Sequence, residues 1–460
     1  MIAENRLTLL LTSNLLLRED QMKTTKLLIM LVLLMGFSFA EGDGLDDLYA
    51  KGINAMESSN WDSAKSLFQS ALNVDADFAP AMVQLAKISV RNGDMNQTKE
   101  YLRQAIEADP ENQDYREEYD QLNEINKFMS QGARELDAGE FENAFASYNQ
   151  VYEKYPYMTE AIYSLGVVKM REGDFDSAIE YFNKALVVNE NHEKTQKALK
   201  GVAGNMFNEG NNFYRRRDYN NALDYYKKVV AIDNSFYQAH YQLGVVETRL
   251  KNIRGAVNAY TKAVEAKPDF YQGWYGLGIA KRSDGNDQGA LVAFQKAIEN
   301  NPGYAKAYCA MGDIYYKVGN TQQAKSSCQQ ALQVDGTYSK PYITLATINI
   351  DNEEYDKALA NLDMATALDR KDSNAWYKIA QVQNILGNCI EAKNAARKSL
   401  DLNDKFGGAW LELGIAEYCG ETGNKTAALN ALEKARGDRT WKTFAEYEMD
   451  KIRNPHRYKN

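Results

Sequence analysis

The sequence predicts an all-α protein, a superhelix of about eleven stacked helix–turn–helix units. Two observations carry this prediction. From Leu45 onward the chain repeats with a period of 34 residues, and within each period apolar and small residues recur at helical spacing. No strand-like alternation of apolar and polar residues competes with it. The 460-residue chain is too long for one compact core, and a repeat array accounts for that length.

Residues Tyr271–Tyr304 form a clear copy of the repeat. Trp274 and Gly278 lie one turn apart on a first helix, and Ala290 and Phe294 lie one turn apart on a second. The small residues let the two backbones approach closely, and the large ones fill the space between neighbouring units. When the positions of each 34-residue unit are numbered as places, eleven copies are found, which begin at Leu45, Ala79, Ile125, Thr159, Ala203, Tyr237, Tyr271, Ala305, Ser339, Ser373 and Gly407.

The turn between the two helices is also marked. Glycine recurs at place 15 of six units, where it suits the left-handed residue that ends a helix. Asp or Asn often follows at place 16, where a side-chain oxygen can cap the second helix. The whole pattern resembles the tetratricopeptide repeat, a 34-residue helix–turn–helix unit. The resemblance covers nearly all of the chain beyond residue 44 and implies a solenoid whose first helices line a concave groove.

Two inserts divide the array into blocks. Both are charged and compatible with helix, and we interpret them as helical extensions that break the stacking register. A capping helix is predicted at the end, with Trp441, Phe444, Ala445, Met449 and Ile452 on its apolar face. In chain order the predicted parts are repeats one and two (45–112), an insert (113–124), repeats three and four (125–192), an insert (193–202), repeats five to eleven (203–439), and the capping helix with a tail (440–460).

Residues 1–40 are predicted to be a targeting segment outside the fold. Lys23 and Lys26 precede an apolar run of about 13 residues, and Ala40 ends a small-x-small site of the kind that signal peptidases read. The run is shorter than the roughly 20 residues of a membrane-spanning helix. We expect cleavage after Ala40 and export to the periplasm or the cell exterior, with an uncleaved anchor as the alternative. Residues 1–21 are interpreted as an upstream extension of the start site.

Composition and motifs argue against most catalytic functions. The net charge of −9 and the pI near 5.2 are unfavourable for a protein that binds nucleic acid through its overall charge. The three histidines lie far apart, and the sequence lacks zinc-ligand spacings, phosphate-binding loops and nucleophile motifs. His240 stands where other repeats carry Trp or Tyr, so we interpret it as a packing residue. We therefore predict no catalytic site, no metal site and no cofactor.

All four cysteines lie in the last four repeats. Cys389 lies in the turn of repeat ten and Cys419 at the end of the first helix of repeat eleven, just before a turn that is longer by two residues. Because turns of successive repeats stack on the same side, we predict a disulfide between them. Pairing of Cys309 with Cys328 is the alternative, although Cys328 replaces an aromatic residue and is expected to be a buried apolar one.

What remains is a binding surface. The resemblance implies that places 2, 5, 9, 12 and 13 of each repeat face the groove, and these places are rich in Tyr and basic residues. We predict that the groove binds extended, acidic or aromatic segments of partner proteins in a cell-envelope or secretion complex. A carbohydrate-guiding solenoid and a regulatory arm of a glycosyltransferase remain as alternatives, and the oligomeric state is left open. The predicted groove residues are Tyr163, Arg171, Tyr214, Arg215, Tyr241, Arg249, Tyr275, Arg282, Tyr316 and Lys317.

Overall fold

A computed structural model describes residues 44–420 and 423–458 of the chain. This part contains 23 α-helices and one short 3-10 helix (Pro455–Arg457), and it contains no β-strand. The prediction of an all-α superhelix is confirmed. The predicted targeting segment, residues 1–40, lies outside the described residues. The chain divides into two compact units between Val202 and Ala203, and each unit is described separately below.

The first unit consists of four helix pairs. Each first helix is followed by a second helix that packs against it, and consecutive pairs stack in chain order. Its helices are α1 (Leu45–Glu57), α2 (Trp61–Val74), α3 (Ala79–Arg91), α4 (Met95–Ala108), α5 (Gln113–Asp137), α6 (Phe141–Lys154), α7 (Thr159–Glu172) and α8 (Phe175–Val188).

The second unit continues the same arrangement with seven pairs and one additional helix. The first of its helices, α9, begins before residue 203. In chain order these helices are α9 (Glu193–Arg215), α10 (Tyr219–Ile232), α11 (Tyr237–Arg249), α12 (Ile253–Ala266), α13 (Tyr271–Ser283), α14 (Asp287–Asn300), α15 (Ala305–Lys317), α16 (Thr321–Val334), α17 (Lys340–Asp351), α18 (Tyr355–Leu368), α19 (Ser373–Ile385), α20 (Cys389–Leu402), α21 (Gly407–Tyr418), α22 (Lys425–Arg436) and α23 (Lys442–Arg453).

Side-chain caps define where the second helices begin. In seven repeats the residue at place 16 precedes the second helix, and its side-chain oxygen accepts a hydrogen bond from the backbone N–H three residues later. This bond satisfies one of the N–H groups that a helix start leaves without a partner. Gly285 at place 15 is left-handed, with φ +81°, a conformation that glycine adopts without strain. The seven capping residues are Asn60, Asp94, Asp174, Asp218, Asn252, Asn286 and Asn320.

Both inserts lie within long helices. Residues 113–124 form the first half of α5, which is 25 residues long and continues into the first helix of repeat three. Residues 193–202 begin α9, which is 23 residues long. Neither insert contains Pro, and α9 continues through Gly201 and Gly204 at its junction without a turn. The limits assigned to the blocks from the sequence stay predictions.

The helix after repeat eleven covers its apolar surface. Ala445, Met449 and Ile452 of α23 are buried against α21 and α22, and Trp441 immediately precedes the helix. Phe444 does not share this face, since its side chain is 60% exposed. The reason is geometric, because a stripe at spacings of four and three residues leaves the neighbouring position about 100° away, towards solvent.

Candidate functional site

The first helices form the inner side of the second unit. First helices of neighbouring repeats contact one another, as α11 contacts α13, α15 contacts α17 and α19 contacts α21. Second helices pack mainly against the first helices of their own and the following repeat. Close approach of the first helices places them on the concave side of the curve. Place 2 of four successive first helices carries hydrogen-bond donors with at least partly exposed side chains, which are Gln238, Gln272, Lys306 and Lys340.

Rings at place 5 belong to a repeating cluster that we call the aromatic ladder. The ring of Tyr241 lies 5.6 Å from that of Tyr260 on the second helix of its own repeat, and 5.1 Å from that of Phe270 at the end of the repeat. Gly244 makes room for this cluster, since a Cβ there would lie 2.7 Å from the Tyr260 ring. The same trio recurs as Tyr49, Phe68 and Phe78; Phe207, Tyr226 and Phe236; and Tyr275, Phe294 and Tyr304.

The ladder shows what the predicted groove tyrosines do in the fold. Tyr241 and Tyr275 are half-buried, and burial raises the pKa of both phenols. Tyr163 belongs to the first unit and packs in the same way, 5.8 Å from Phe182 and 5.5 Å from His192 between ring centres. These rings hold neighbouring helices together, and only part of each faces outward. Their role in partner binding stays a prediction.

Repeat eight interrupts the ladder with cysteines. Cys309 and Cys328 replace the rings at places 5 and 24, and both are buried free thiols. Burial raises the pKa of Cys328 to about 12 and also raises the pKa of Cys309. Both thiols therefore stay protonated and unreactive at neutral pH. The expectation that Cys328 is a buried apolar residue is confirmed.

The predicted basic residues of repeats seven and eight already have acidic partners. The Arg282 guanidinium lies 3.7 Å from the Asp313 carboxylate, and Lys317 Nζ lies 2.7 Å from Asp287. Tyr316 donates a hydrogen bond of 2.6 Å to Asp351. Burial is the larger cause, and this carboxylate the smaller one, of the rise in the pKa of the Tyr316 phenol to about 12. These pairs reduce the positive potential that the sequence pattern suggested at this part of the groove.

The basic residues of repeats five and six differ from these, since in the described residues neither Arg249 nor Arg215 forms an ion pair with a carboxylate. Arg249 shares a hydrogen bond with the Tyr214 hydroxyl, and Arg215 donates one of 3.2 Å to Asn212. Both guanidinium groups are exposed. Arg171, on α7 of the first unit, is also exposed. Arg215 and Arg249 thus keep a net positive charge at the surface of the second unit.

An open cleft of about 670 Å³ lies in the first unit and is lined by residues of repeats one to four. Arg91 lines the cleft; its guanidinium carbon lies 4.6 Å from the centre of the Trp61 ring, and it donates a hydrogen bond to the Val188 carbonyl. The Thr159 hydroxyl donates to the Arg91 carbonyl at 2.7 Å. Burial lowers the pKa of Arg91, against an opposing effect from Asp62. Sequence reasoning missed this cleft, because it depends on a contact between residues 97 positions apart.

The structure joins Cys389 and Cys419 in a disulfide, with their Cα atoms 5.5 Å apart. Cys389 is the first residue of α20 and Cys419 follows the last residue of α21. The bridge therefore ties the turn of repeat ten to the turn of repeat eleven. Cys309 and Cys328, the alternative pair, are free.

His240 has a structural role. Its Nε2 atom lies 3.0 Å from the Asn234 carbonyl, six residues earlier, and we assign the ring proton to this nitrogen because a carbonyl only accepts. Trp274 and Trp410 occupy the same place in their repeats and donate to carbonyls six residues earlier, both at 2.7 Å. In the described residues, no group of three or more His, Cys, Asp and Glu side chains could hold a metal ion.

A buried carboxylate lies in repeat eleven. Glu412 is 5% exposed, and its Oε2 atom accepts a hydrogen bond of 2.8 Å from the Asn384 amide. Burial raises the pKa of Glu412 to about 7; the Asn384 bond opposes this change and the charge of Glu448 on α23 adds to it. The charge in this part of the second unit therefore changes near neutral pH.

Comparison with known families identifies the repeat. Three models described as tetratricopeptide repeat match residues 55–117, 130–193, 249–305, 293–326 and 316–382, which together are more than half of the chain. The chain is a tetratricopeptide repeat protein. The resemblance inferred from the 34-residue period is thereby confirmed. No curated protein sequence gives a significant match.

Several solved tetratricopeptide structures are similar to this chain. MamA is 26% identical over 38% of this chain and 97% of its own, with a TM-score of 0.28. The Cut9–Hcn1 complex of APC/C is 12% identical over 89% of this chain and 96% of its own, with a TM-score of 0.42. Yeast Tom70 is 16% identical over 90% of this chain and 96% of its own, with a TM-score of 0.40. We draw no functional conclusion from these likenesses.

Membership of the tetratricopeptide family indicates a protein–protein interaction scaffold. The fold is one that generally serves binding rather than catalysis. Across residues 44–420 and 423–458, no helix combines the length and the apolar character that crossing a membrane requires. Protein partners are the partners that this fold supports.

Proposed function

We propose that this tetratricopeptide protein is an exported, non-enzymatic scaffold that binds extended segments of partner proteins along the inner side of its second unit. The contacts between neighbouring first helices carry the proposal, because they bring first helices of adjacent repeats together on one inner side. The donors at place 2, from Gln238 to Lys340, recur once per repeat along that surface. An extended peptide presents backbone carbonyls at regular intervals, which such donors can bind.

Export gives the scaffold its setting. The apolar run and the small-x-small site before residue 41 support cleavage after Ala40. The disulfide between Cys389 and Cys419 supports an oxidising compartment. We therefore propose that the protein acts in a cell-envelope or secretion complex. Intact-mass analysis of the native protein is expected to give a chain that begins at Glu41; a chain that begins at Met1 or Met22 would contradict export by cleavage.

Photo-crosslinking tests the inner surface directly. A benzoylphenylalanine residue replaces Gln272 on α13 in one variant and Gln295 on α14 in a control variant, since Gln295 is exposed on a second helix of the same repeat. After irradiation in envelope extract, we expect a protein adduct from the first variant and little from the second. Equal adducts from both positions, or an adduct from position 295 alone, would place the binding surface elsewhere.

A further inference from the structure

The turns between first and second helices form one edge of the second unit, which we call the turn edge and define by places 13 to 15. In repeat five these places read Arg215, Arg216 and Arg217, and in repeat six Arg249, Leu250 and Lys251. Arg254, on the first turn of α12, adds another positive charge beside repeat six. We call the six charged residues the basic edge: Arg215, Arg216, Arg217, Arg249, Lys251 and Arg254.

The basic edge is exposed and its charges are not neutralised. All six side chains are exposed, and none of them forms an ion pair with a carboxylate of the described residues. The nearest carboxylates along the chain, Asp218 and Glu247, accept hydrogen bonds from Asn221 and Asn252 and form no ion pair with the basic edge. A concentration of uncompensated arginine is unusual in a chain whose net charge is −9.

Backbone geometry shows that these turns carry basic residues at an energetic cost. Place 15 is left-handed, and repeats seven, eight and ten use glycine there. Arg217 and Lys251 adopt the same conformation, with φ of 64° and 61°, which residues with a Cβ adopt less readily. Glu353 does so in repeat nine, so the conformation alone does not distinguish repeats five and six. The sign of the charge distinguishes them.

The rest of the turn edge limits the basic edge to two repeats. Repeat seven has Ser283 and Asp284 at places 13 and 14, and repeat nine has Asp351 and Glu353 at places 13 and 15. Lys317 of repeat eight is already paired with Asp287. Neighbouring packed helices lie about 10 Å apart, so a ligand that bridges both turns needs anionic groups separated by roughly that distance. In an extended peptide in the polyproline II conformation this corresponds to about three residues, which lie on the same side of the peptide.

We propose that the basic edge binds an acidic, extended peptide segment of a partner protein, with carboxylates about three residues apart. Arginine suits this ligand because its planar guanidinium forms two parallel hydrogen bonds to a carboxylate. Leu250, 38% exposed between Arg249 and Lys251, offers an apolar contact to a side chain between the carboxylates. The proposal rests on the proposed function in one respect, namely that the partner is a protein.

Charge and size favour a peptide over other polyanions. Nucleic acids and anionic membranes present negative charge over long distances, and an overall charge of −9 repels them outside a local patch. A patch of two repeats is long enough for a short peptide segment only. Vesicles and a second copy of this chain, whose repeat nine is acidic at the same edge, are therefore treated as alternative outcomes of the test.

The experiment measures binding of a defined peptide to the purified full-length mature chain. The probe is a fluorescein-labelled, end-blocked peptide with glutamate at every third position, separated by serine and leucine, and binding is followed by fluorescence anisotropy. The test variant reverses four charges, Arg216→Glu, Arg217→Glu, Lys251→Glu and Arg254→Glu. We expect it to bind at least about tenfold more weakly. Glutamate at place 15 is compatible with the fold, as Glu353 shows.

The control variant has the same net charge with the substitutions placed elsewhere in the second unit: Arg370→Glu, Lys371→Glu, Lys405→Glu and Lys442→Glu, all at exposed residues. We expect it to bind within about twofold of the unaltered protein, with both variants equally helical by circular dichroism. Equal weakening in both variants, or no weakening in the test variant, overturns the proposal.

Two further readouts separate the alternative ligands. The first readout is co-sedimentation with phosphatidylglycerol vesicles. If the unaltered protein sediments with the vesicles but does not bind the peptide, and the test variant does not sediment, the edge binds membranes and the proposal is overturned. A concentration-dependent dimer that the test variant disrupts assigns the edge to a second copy and also overturns the proposal. Because the probe is synthetic, failure here leaves the crosslinking result at position 272 intact, and failure of crosslinking leaves the peptide result intact.

Discussion

Neutralising Glu412 is expected to stabilise the C-terminal end of the second unit in a pH-dependent way. The carboxyl group is 5% exposed, and its pKa rises from 4.5 to about 7 because burial disfavours the charged form. A shift of this size corresponds to a cost of about 3 kcal/mol for ionised Glu412 relative to the unfolded chain. The substitution Glu412→Gln keeps an oxygen that can accept the Asn384 hydrogen bond and removes the charge.

The sign of the effect follows from which state binds the proton. Between pH 4.5 and 7 the folded protein holds a proton on Glu412 that the unfolded chain has lost, so the Glu412 contribution to stability falls as pH rises. Above pH 7 both states are ionised and the full cost is present. Glu412→Gln is therefore expected to match the unaltered protein at pH 4.5 and to exceed its free energy of unfolding by about 2–3 kcal/mol at pH 8.5.

Urea unfolding followed by tryptophan fluorescence measures this difference. In a background with Trp61→Phe and Trp274→Phe, the remaining tryptophans are Trp376, Trp410 and Trp441, which all pack at the C-terminal end. Comparing the two proteins at each pH cancels the titration of all other groups.

The matched control for this experiment is Glu446→Gln, which removes one charge from an exposed position of α23. It is expected to change the free energy of unfolding by less than about 0.5 kcal/mol at either pH. Two results would refute the reasoning that burial of the charge is costly. One is a difference in free energy of unfolding between Glu412→Gln and the unaltered protein that is the same at pH 4.5 and pH 8.5, and the other is a lower free energy of unfolding for Glu412→Gln at pH 8.5.

Three further substitutions test the contacts that hold the repeats together. Removing the disulfide with Cys389→Ser and Cys419→Ser is expected to lower the stability of the last two repeats by about 3–4 kcal/mol, because the bridge closes a loop with a sequence separation of 30, and urea unfolding measures it. Gly166→Ala is expected to cost about 1–3 kcal/mol in thermal unfolding, since its Cβ would lie 2.6 Å from the Phe182 ring. Tyr275→Ala is expected to cost about 2–4 kcal/mol by urea unfolding, because it opens the aromatic ladder, whereas Tyr275→Phe keeps the ring and costs less than about 1 kcal/mol.

Each of these substitutions has an informative contrary result. If the double serine variant unfolds at the same urea concentration as the oxidised protein, the bridge does not constrain the unfolded chain. Gly204→Ala is the control for Gly166→Ala, since a Cβ at residue 204 meets no atom within 4 Å, and it is expected to be neutral or stabilising. An unchanged melting temperature for Tyr275→Ala would show that the ring serves the surface rather than the ladder.

Local chemistry in the sequence was sufficient to predict the helices and most of their turns. The 34-residue period, the glycines at place 15 and the caps at place 16 act over a few residues each, and the structure shows helix pairs where they predict them. Arg217 and Lys251 depart from the glycine rule because the surrounding helices impose the left-handed turn regardless of residue type. These two departures were visible in the sequence, and the sign of their charge, opposite to that of Glu353 in repeat nine, is what locates the basic edge.

The sequence alone did not determine how groove residues divide between packing and binding. Tyr241 and Tyr275 recur at a groove-facing place, yet both are half-buried because they pack against rings later in their own repeats. From the sequence Arg282 is predicted to be an unpaired cation, but in the structure its guanidinium lies 3.7 Å from the Asp313 carboxylate of the next repeat.

Thus the sequence by itself determined the repeat, its helices and the family, because these depend on interactions within about one 34-residue unit. Only the tertiary structure decided which charges are compensated, which rings are covered, and how Arg91 of repeat two reaches Val188 of repeat four in the lining of a cleft. These features depend on contacts between residues that are distant in sequence, and the period carries no information about them because every repeat obeys it equally.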